Sequence, residues 1–499
     1  MRDHFISLEA AESDILDCAA YIAERQPSAE GHADAIRLII PRYLERGNVD
    51  LAAELANVVD DPHSRDKLLT QVAERCARDG DDDYALQLAD AIEEDGLRDQ
   101  AYENLALIKA ENGDFAKAEE IAGAMLHPDY VYAGIAFHKA AAGDIVGSDE
   151  ALAKIEFPAV EASGLLQIAG MTIEEGDKAA AVEFIDDALA AAEEIEHSEE
   201  RIRMIAEAAH LYREAGEKER SIEAYLLARG DAEVLTNIHR DYFIVVCALG
   251  LLECGDEEAA DGTLDLLVDK TQIASALVGF GRYYWKKDQK DEAIEALDEA
   301  AEVLRSQKDN ETRDTRARNA VITSLAAQFA GFGKAGSGIE MALENSDPAE
   351  RSSALQQIAQ VCSLRGDDEF AREAVSHTEE EGDQAFALLA MADAKEKIDA
   401  KDEAASLVDE AIEIGRNAPQ ALVRPNVFIE AASRYRSLGN EQKARQTFAD
   451  AFPAIEEIRS SSARSAALAE LSALRSAAGF ELSADEKERL GRLAFTSKN

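Results

Sequence analysis

The sequence has few of the residues that mark a disulfide-stabilised, metal-binding or membrane-spanning protein. Its 499 residues include five cysteines, nine prolines and one tryptophan, and the 52 bases are far fewer than the 101 acids. The cysteines are scattered without a Cys-x-x-Cys pair, which predicts buried free thiols in a reducing compartment. No run of 18 apolar residues and no apolar leader occurs. The sequence therefore predicts a soluble, cytoplasmic protein.

The shortage of basic residues also limits the choice of partners. The net charge is -49, and the 52 bases comprise 33 Arg and 19 Lys. A field of this sign repels phosphate backbones and anionic lipid, so nucleic acid and membrane surfaces are excluded as expected partners. The predicted partner is a protein or peptide of basic or apolar character.

No motif indicates catalysis or a bound cofactor. The acids Asp79, Asp81 and Asp83 have the first spacings of a calcium loop, but Tyr84 stands where that loop needs Gly. The Gly-rich stretch 331–338 lacks the Lys-Ser/Thr ending of a phosphate loop, and the nine histidines show no metal-binding spacing. We expect no catalytic residues, no metal, no cofactor and no enzymatic activity.

What the sequence does contain is an internal repeat of 30 to 45 residues, each with a Gly or Asp turn marker between two apolar-periodic segments. The thirteen markers are Gly47, Gly80, Gly113, Gly143, Gly176, Gly216, Gly255, Asp288, Gly333, Gly366, Asp399, Gly439 and Gly479. A large apolar residue stands eleven positions before each marker, and a small residue stands seven before nearly all of them. Two apolar faces in each unit predict helical hairpins that pack on neighbours at both sides.

This order of residues, as in Ala293-x3-Leu297-x2-Ala300, resembles the tetratricopeptide repeat (TPR) over roughly residues 30–478. The resemblance implies an all-α fold, a right-handed α-solenoid of about 12–13 TPR-like helical hairpins; HEAT-type hairpins are the alternative. We predict an N-terminal capping helix at 1–28, a repeat array at 29–478 with a possible geometric break near 305–320, and a C-terminal capping helix and tail at 479–499.

The resemblance implies a non-catalytic protein-binding scaffold or adaptor that uses the concave groove of the superhelix. The alternative is a regulatory repeat domain that senses a peptide or small ligand in that groove. The family's Lys/Asn clamp for peptide carboxylates is absent, because Glu74 and Leu107 occupy the Asn positions and Asn104 stands alone.

Arginine recurs fifteen residues before eight of the thirteen markers, in the first turn of the first helix, where the helix dipole disfavours a cation. The eight are Arg65, Arg98, Arg201, Arg240, Arg318, Arg351, Arg424 and Arg464. We predict a structural ladder in which each Arg pairs with acids in the loop before it, such as Asp61 or Asp347, and with carbonyls that end the previous repeat's second helix. An anion-binding edge is the alternative.

One window differs from the acidic remainder of the chain. Residues 270–334 contain eleven bases and ten acids, together with the only tryptophan. When the sequence is aligned with the TPR pattern, six residues of this window and of the preceding repeat are expected to face the groove. This predicts a partner-binding site. They are Tyr242, Val245, Leu249, Arg282, Trp285 and Lys286. The alternative is that Trp285 packs under the long insertion of its own repeat and the cations pair with Glu292 and Glu295.

Overall fold

The computed structural model describes residues 5–26, 31–307 and 315–496, and within these ranges every regular element is an α-helix. This confirms the predicted all-α class of stacked helical hairpins. The helices are α1 (Leu8–Ser13), α2 (Ile15–Glu24), α3 (His32–Glu45), α4 (Val49–Asn57), α5 (Pro62–Asp79), α6 (Asp82–Asp90), α7 (Asp95–Glu111), α8 (Phe115–Ala122), α9 (Asp129–Ala141), α10 (Ile145–Leu152), α11 (Pro158–Glu174), α12 (Lys178–Glu193), α13 (Ser198–Ala215), α14 (Lys218–Glu233), α15 (Arg240–Glu253), α16 (Glu257–Leu264), α17 (Lys270–Lys286), α18 (Lys290–Ser306), α19 (Thr315–Gly331), α20 (Ala335–Leu343), α21 (Pro348–Arg365), α22 (Asp368–Ser376), α23 (Glu381–Lys397), α24 (Lys401–Asn417), α25 (Val423–Ser437), α26 (Glu441–Glu456), α27 (Ser461–Ala478) and α28 (Ala484–Thr496).

All thirteen turn markers adopt a left-handed backbone conformation between two consecutive helices. Eleven are glycines, which take a positive φ without steric cost. The other two, Asp288 at φ 61° and Asp399 at φ 60°, are the only non-glycine residues of the described ranges with a positive φ. The substitution of Asp for Gly at these two markers therefore preserves the turn.

One hydrogen bond recurs at every marker and ends the first helix of each pair. The N–H of the following residue donates to the carbonyl five residues before it, as from Asp81 to Cys76 at 2.9 Å and from Asn440 to Tyr435 at 2.7 Å. This is the bond of a Schellman C-cap. The same Asp81 then caps the second helix, because its carboxylate accepts from the Tyr84 N–H.

The apolar column eleven residues before each marker lies in the interior. Eleven of its thirteen side chains are buried, and the remaining two, Tyr102 and Tyr132, are half-buried. Burial of one large residue at the same place in each helix pair stabilises successive pairs against one another.

The described residues divide into two compact units. The first unit comprises those of Met1–Ala101, Ala335–Leu343 and Asp347–Asn499, and the second comprises those of Tyr102–Lys334 and Glu344–Ser346. Each unit is built from the same helix pairs.

Three buried aspartates connect a first helix to the linker that precedes the next first helix. Asp66 accepts hydrogen bonds from the backbone N–H groups of Glu93 and Glu94, at 2.9 and 2.8 Å. Asp129 and Asp241 accept the same pair of bonds, also from residues 27 and 28 positions later. We call this arrangement the aspartate tie. It satisfies two N–H groups near the start of the next helix, groups that have no acceptor within that helix.

The two ends of the chain pack together within the first unit. The predicted N-terminal helix is divided at Asp14, whose extended backbone ends α1 and whose carboxylate caps α2. Helix α2 packs against α27, α3 and α28, and α1 packs against α28. The Ser465 hydroxyl donates to the Ala19 carbonyl at 2.9 Å, and Arg475 binds Asp14 at 2.7 Å. Helix α2 thus lies beside α27 as the second helix of a pair would.

Two predictions fall partly outside the described residues. The polar stretch 308–314, part of the predicted break near 305–320, is not among them, and neither is the end of the tail at 497–499. Among the described helices, none has both the length and the apolar composition needed to cross a membrane.

Candidate functional site

A groove of about 490 Å³ lies on the first unit, along the first helices of four successive pairs. Its lining comes from α21, α23, α25 and α27, and it combines apolar, amide and charged side chains. The residues are Gln356, Gln360, Phe386, Leu389, Ala390, Asn426, Ile429, Glu430, Arg434 and Glu470. A volume of this size is in the range of pockets that hold small ligands or short chain segments.

One arginine is fixed in the groove wall by acids of two helices. Arg434 lies 2.6 Å from Asp393 on α23 and 2.9 Å from Glu430 on its own helix. Gln360 on α21 donates to the second oxygen of Asp393 at 3.0 Å. Burial acts to raise the pKa of the Asp393 carboxyl, but Lys397, Arg434 and Gln360 outweigh it and hold that pKa below its ordinary value. These contacts orient polar side chains across three successive helices.

The lining residues occupy the same few places in each repeat. Gln356, Leu389 and Ile429 stand ten residues before their markers, whereas Phe386 and Asn426 stand thirteen before theirs. The sequence analysis assigned these two columns to the groove only for the repeat around Gly255, at Tyr242 and Val245; in the repeat around Asp288 it chose other places. The columns therefore identify one face of each first helix, and packing decides where that face opens into a cavity.

The six residues predicted to bind a partner do not form one exposed surface. Val245 is buried, and Leu249 packs against α17 so closely that a Cβ on Gly279 would lie 2.4 Å from its Cδ2. Val245 is therefore not exposed and Leu249 contacts the neighbouring pair, and the role of both in binding stays a prediction. Tyr242, Arg282 and Lys286 are exposed, and their role in binding stays a prediction.

Trp285 is half-buried and stacks on Phe332, with ring centroids 4.1 Å apart and planes inclined by 5°. Lys290 lies over the same ring, 5.6 Å from its centroid. Phe332 directly precedes the next turn marker, so the stacking joins two successive repeats. Trp285 thus packs between Phe332 and Lys290, and its role in binding a partner stays a prediction.

Seven of the eight predicted ladder arginines contact an acid or a carbonyl oxygen. Arg201 binds Asp231 at 2.9 Å and Arg424 binds Glu457 at 2.6 Å, in each case at the C-terminal end of the second helix of the same pair. Arg65, Arg240 and Arg351 likewise reach the end of their own pair, at Glu93, the Leu266 carbonyl and Glu379. Because the two helices of a pair are antiparallel, each Arg lies beside the negative end of the second helix.

For Arg65, Arg201, Arg240 and Arg424 the acceptor at the end of the same pair differs from the predicted partner, whereas Arg98 and Arg464 find theirs in the previous repeat. These two bind the carbonyls of Ile92 and Ile458. Arg318 has no hydrogen bond or ion pair within the described ranges. The predicted partner Asp61 caps α5 through the Ser64 N–H instead of binding Arg65.

The aspartate tie was missed by the sequence analysis although it adjoins the Arg column. Asp66 and Asp241 directly follow Arg65 and Arg240, and each binds its neighbouring guanidinium group. Burial acts to raise the pKa of the Asp66 carboxyl, but the two backbone donors and Arg65 outweigh it and lower that pKa. The three ties share an Asp fourteen residues before a marker. Asp99 holds the same place without forming a tie to any described residue, so the position alone would not have found it.

Within the described residues, no group of three His, Cys, Asp or Glu side chains is arranged to hold a metal ion. All five cysteines are buried and free, as predicted. Burial raises the pKa of the Cys76 and Cys362 thiols to about 11, so both stay protonated at neutral pH.

A family model described as "Tetratricopeptide repeat" matches residues 274–303, the stretch around the Asp288 turn. Similar solved structures include Ton1535 from Thermococcus onnurineus NA1, with 16% identity over 70% of this chain and 97% of that chain and a TM-score of 0.27. They also include the apo quorum sensor NprR from B. thuringiensis, with 13% identity over 71% and 98% of the two chains and a TM-score of 0.25. A third is a Rap protein complexed with competence and sporulation factor, with 16% identity over 77% and 99% and a TM-score of 0.27.

Structural similarity at TM-scores this low gives no information about ligands or partners. No curated protein sequence matches the chain significantly. The assignment rests on the helix pairs, the thirteen left-handed turns and the matched repeat. On these grounds the chain is a TPR-like helical repeat protein.

Proposed function

We propose that the protein is a non-catalytic binding scaffold whose groove on the first unit holds an extended segment of a partner polypeptide. The observation that carries this proposal is the lining of the groove by four successive first helices. The amides of Gln356, Gln360 and Asn426 can each donate to and accept from a peptide backbone. Phe386 and Ile429 supply apolar contact between these amides.

The charges of the groove favour a segment without strong negative charge. Arg434 is already bound by Asp393 and Glu430, and Glu470 lies 3.5 Å from Arg42. An incoming carboxylate would meet the acids without a free cation, whereas a Lys or Arg side chain could approach Glu470. A segment with apolar side chains and a basic flank fits this distribution of charge.

The test is a peptide-binding measurement on the full-length protein. An array of random-sequence peptides would select binders, and their affinities would be measured by fluorescence anisotropy for wild type, Asn426→Ala and Phe386→Ala. We expect each substitution to weaken binding about tenfold or more, since a ligand anchored in the groove loses a central contact. Gln446→Ala, an exposed amide on the second helix α26, is the matched control and should bind as wild type does.

Two results would contradict the proposal. One is that no peptide binds with a dissociation constant below about 1 mM. The other is that the groove variants and Gln446→Ala bind the selected peptides equally well. A ligand that binds in the groove and also changes hydrogen exchange along the other repeats would favour the sensor role over a passive scaffold.

A further inference from the structure

Two apolar patches lie on the second unit where aspartate ties join successive repeats. Asp129 is followed by Tyr130, preceded three residues earlier by Leu126, and bonded to the N–H of Phe157 at 2.8 Å. Asp241 has Tyr242 and Ile238 in the equivalent places, and the N–H of Val268, 27 residues after its Asp where Phe157 is 28 after, donates to it at 2.9 Å. Each of these six apolar side chains is more than half exposed, from 54% for Phe157 and Tyr242 to 78% for Leu126. We call the two sets the Tyr130 patch and the Tyr242 patch.

The fold itself does not require apolar side chains at these places. The third tie, at Asp66, makes the same two backbone bonds, but there the corresponding residues are His63 and Lys67, with Glu93 in the place of Val268 and Glu94 in the place of Phe157. His63 and Glu93 form ion pairs at that tie, with Glu94 and Arg65. Since the tie forms with polar neighbours, the exposure of three large apolar side chains at each of the other two ties needs a separate cause. Clustered exposed apolar side chains mark binding surfaces.

The surroundings of both patches are acidic. Residues 119–158 contain seven acids and two bases, and residues 231–270 contain ten acids and two bases. The bases are occupied, because Lys139 and Lys154 both pair with Glu119. Around the Tyr242 patch, Arg240 binds Asp241, and Lys270 binds the Ser306 carbonyl. Some acids of the second stretch are paired as well, Asp231 with Arg201 and Glu253 with Arg213. The acids still outnumber the bases in both stretches, which leaves each with a net negative charge.

We propose that the Tyr130 patch and the Tyr242 patch are two equivalent docking sites for a partner segment that presents large apolar side chains flanked by Lys or Arg. The apolar side chains supply the contact area, and the surrounding carboxylates select a basic partner. A second copy of this chain, with its net charge of -49, is repelled by the same carboxylates, as are anionic membranes. This surface is separate in its residues from the groove on the first unit, and the proposal does not depend on peptide binding there.

The proposal is tested with an 18-residue amphipathic helical peptide of Leu and Lys, with calorimetry on the full-length protein at about 0.15 M KCl. We expect two peptides to bind each chain. The double variant Leu126→Ser/Tyr130→Ser should bind one, as should Ile238→Ser/Tyr242→Ser, and the quadruple variant should lose binding by about tenfold or more. These substitutions leave the aspartates and their backbone bonds intact, so melting temperatures should equal that of wild type.

The controls separate a built site from general attraction to an acidic surface. Val146→Ser and Leu227→Ser remove exposed apolar side chains outside the patches and should leave the stoichiometry at two. A peptide with Glu in place of Lys, and one with Ser in place of Leu, should not bind. Equal loss in control and patch variants would overturn the proposal, and so would unchanged binding in the quadruple variant. Sedimentation that shows a wild-type dimer and a monomeric quadruple variant would also overturn it, since the occupant would then be a second copy.

Discussion

The aspartate tie shows how one side chain fixes the geometry between repeats. Asp66 is fully buried, yet it accepts two backbone hydrogen bonds and binds Arg65. A buried carboxylate is tolerated only when its oxygens are satisfied in this way. The Arg is tolerated at a helix N-terminus because the same carboxylate and Glu93 lie beside it.

Replacing Asp66 with Ala should therefore lower the free energy of unfolding of the first unit by about 3 kcal/mol. The substitution leaves the Glu93 and Glu94 N–H groups without their acceptor and leaves Arg65 with one partner. The measurement is urea denaturation followed by circular dichroism. Asp99→Ala is the matched control, because Asp99 occupies the same place before Gly113 but makes no hydrogen bond with any described residue. A control midpoint that falls as far as that of Asp66→Ala would contradict the role of the tie.

The pH dependence of this contribution follows from the lowered pKa of Asp66. A depressed pKa in the folded state means that the ionised carboxylate stabilises the fold above the ordinary pKa of the carboxyl, 3.8, and that this contribution is lost as pH falls through the folded pKa. The difference in stability between wild type and Asp66→Ala should thus be constant at neutral pH and shrink in acid below that ordinary value.

At the scale of the helix, small residues determine how closely successive pairs approach. Gly250 on α15 faces the Tyr225 ring on α14, and a Cβ there would lie 2.2 Å from the ring. Gly230, also within α14, has nothing within 4 Å of the place where its Cβ would be. Close packing therefore requires glycine at position 250, whereas position 230 has room for a side chain.

Gly250→Ala should destabilise the second unit by about 1–2 kcal/mol, because displacing the Tyr225 ring costs more than the gain in helix propensity. Gly230→Ala should stabilise the same unit by up to about 1 kcal/mol, since only the gain in propensity remains. Chemical denaturation of both variants measures the two effects. The packing argument fails if the midpoint of Gly250→Ala rises as that of Gly230→Ala does.

The elements were predictable where packing leaves a periodic trace in the sequence. Each hairpin needs a left-handed residue, and this requirement made every turn visible, including the two at Asp288 and Asp399. For the groove, the sequence predicted only which repeat positions face it, and not which repeats form the cavity. Leu389 and Ile429 line the cavity and Val245 stands in the same column outside it, although Leu389 and Val245 are both buried. The column therefore does not by itself tell where the helix face opens into a cavity.

At the scale of the chain, the repeat pattern does not predict the contact between its two ends. Ser465 and Ala19 are 446 residues apart, and Cys18 lies 3.6 Å from the Leu490 carbonyl. No repeat spacing predicts such a pair. The apolar composition of α2 was the available signal, since nine of its ten residues are buried. A terminal cap normally presents one polar face to solvent, and α2 has none.

Asp14 connects three helices at this contact. Its carboxylate caps α2, lies 2.9 Å from Arg46 at the end of α3, and lies 2.7 Å from Arg475 on α27. Asp14→Ala should weaken the packing of α2 on α27 by about 2 kcal/mol, about half from the lost cap and the rest from two half-buried ion pairs.

Hydrogen exchange measures this loss locally. With 2 kcal/mol less protection, amides of α2 and α27 should exchange about 30-fold faster, because each 1.4 kcal/mol is a factor of ten. Amides of α5 and α6 should keep their rates, as these helices do not contact Asp14. Asp34→Ala, which removes an exposed pair with Arg37 on α3, is the control and should change neither set. Faster exchange confined to α2 would show that α27 is held by its packing against α3, α25 and α26, and the packing of α2 on α27 would then contribute nothing to the stability of α27.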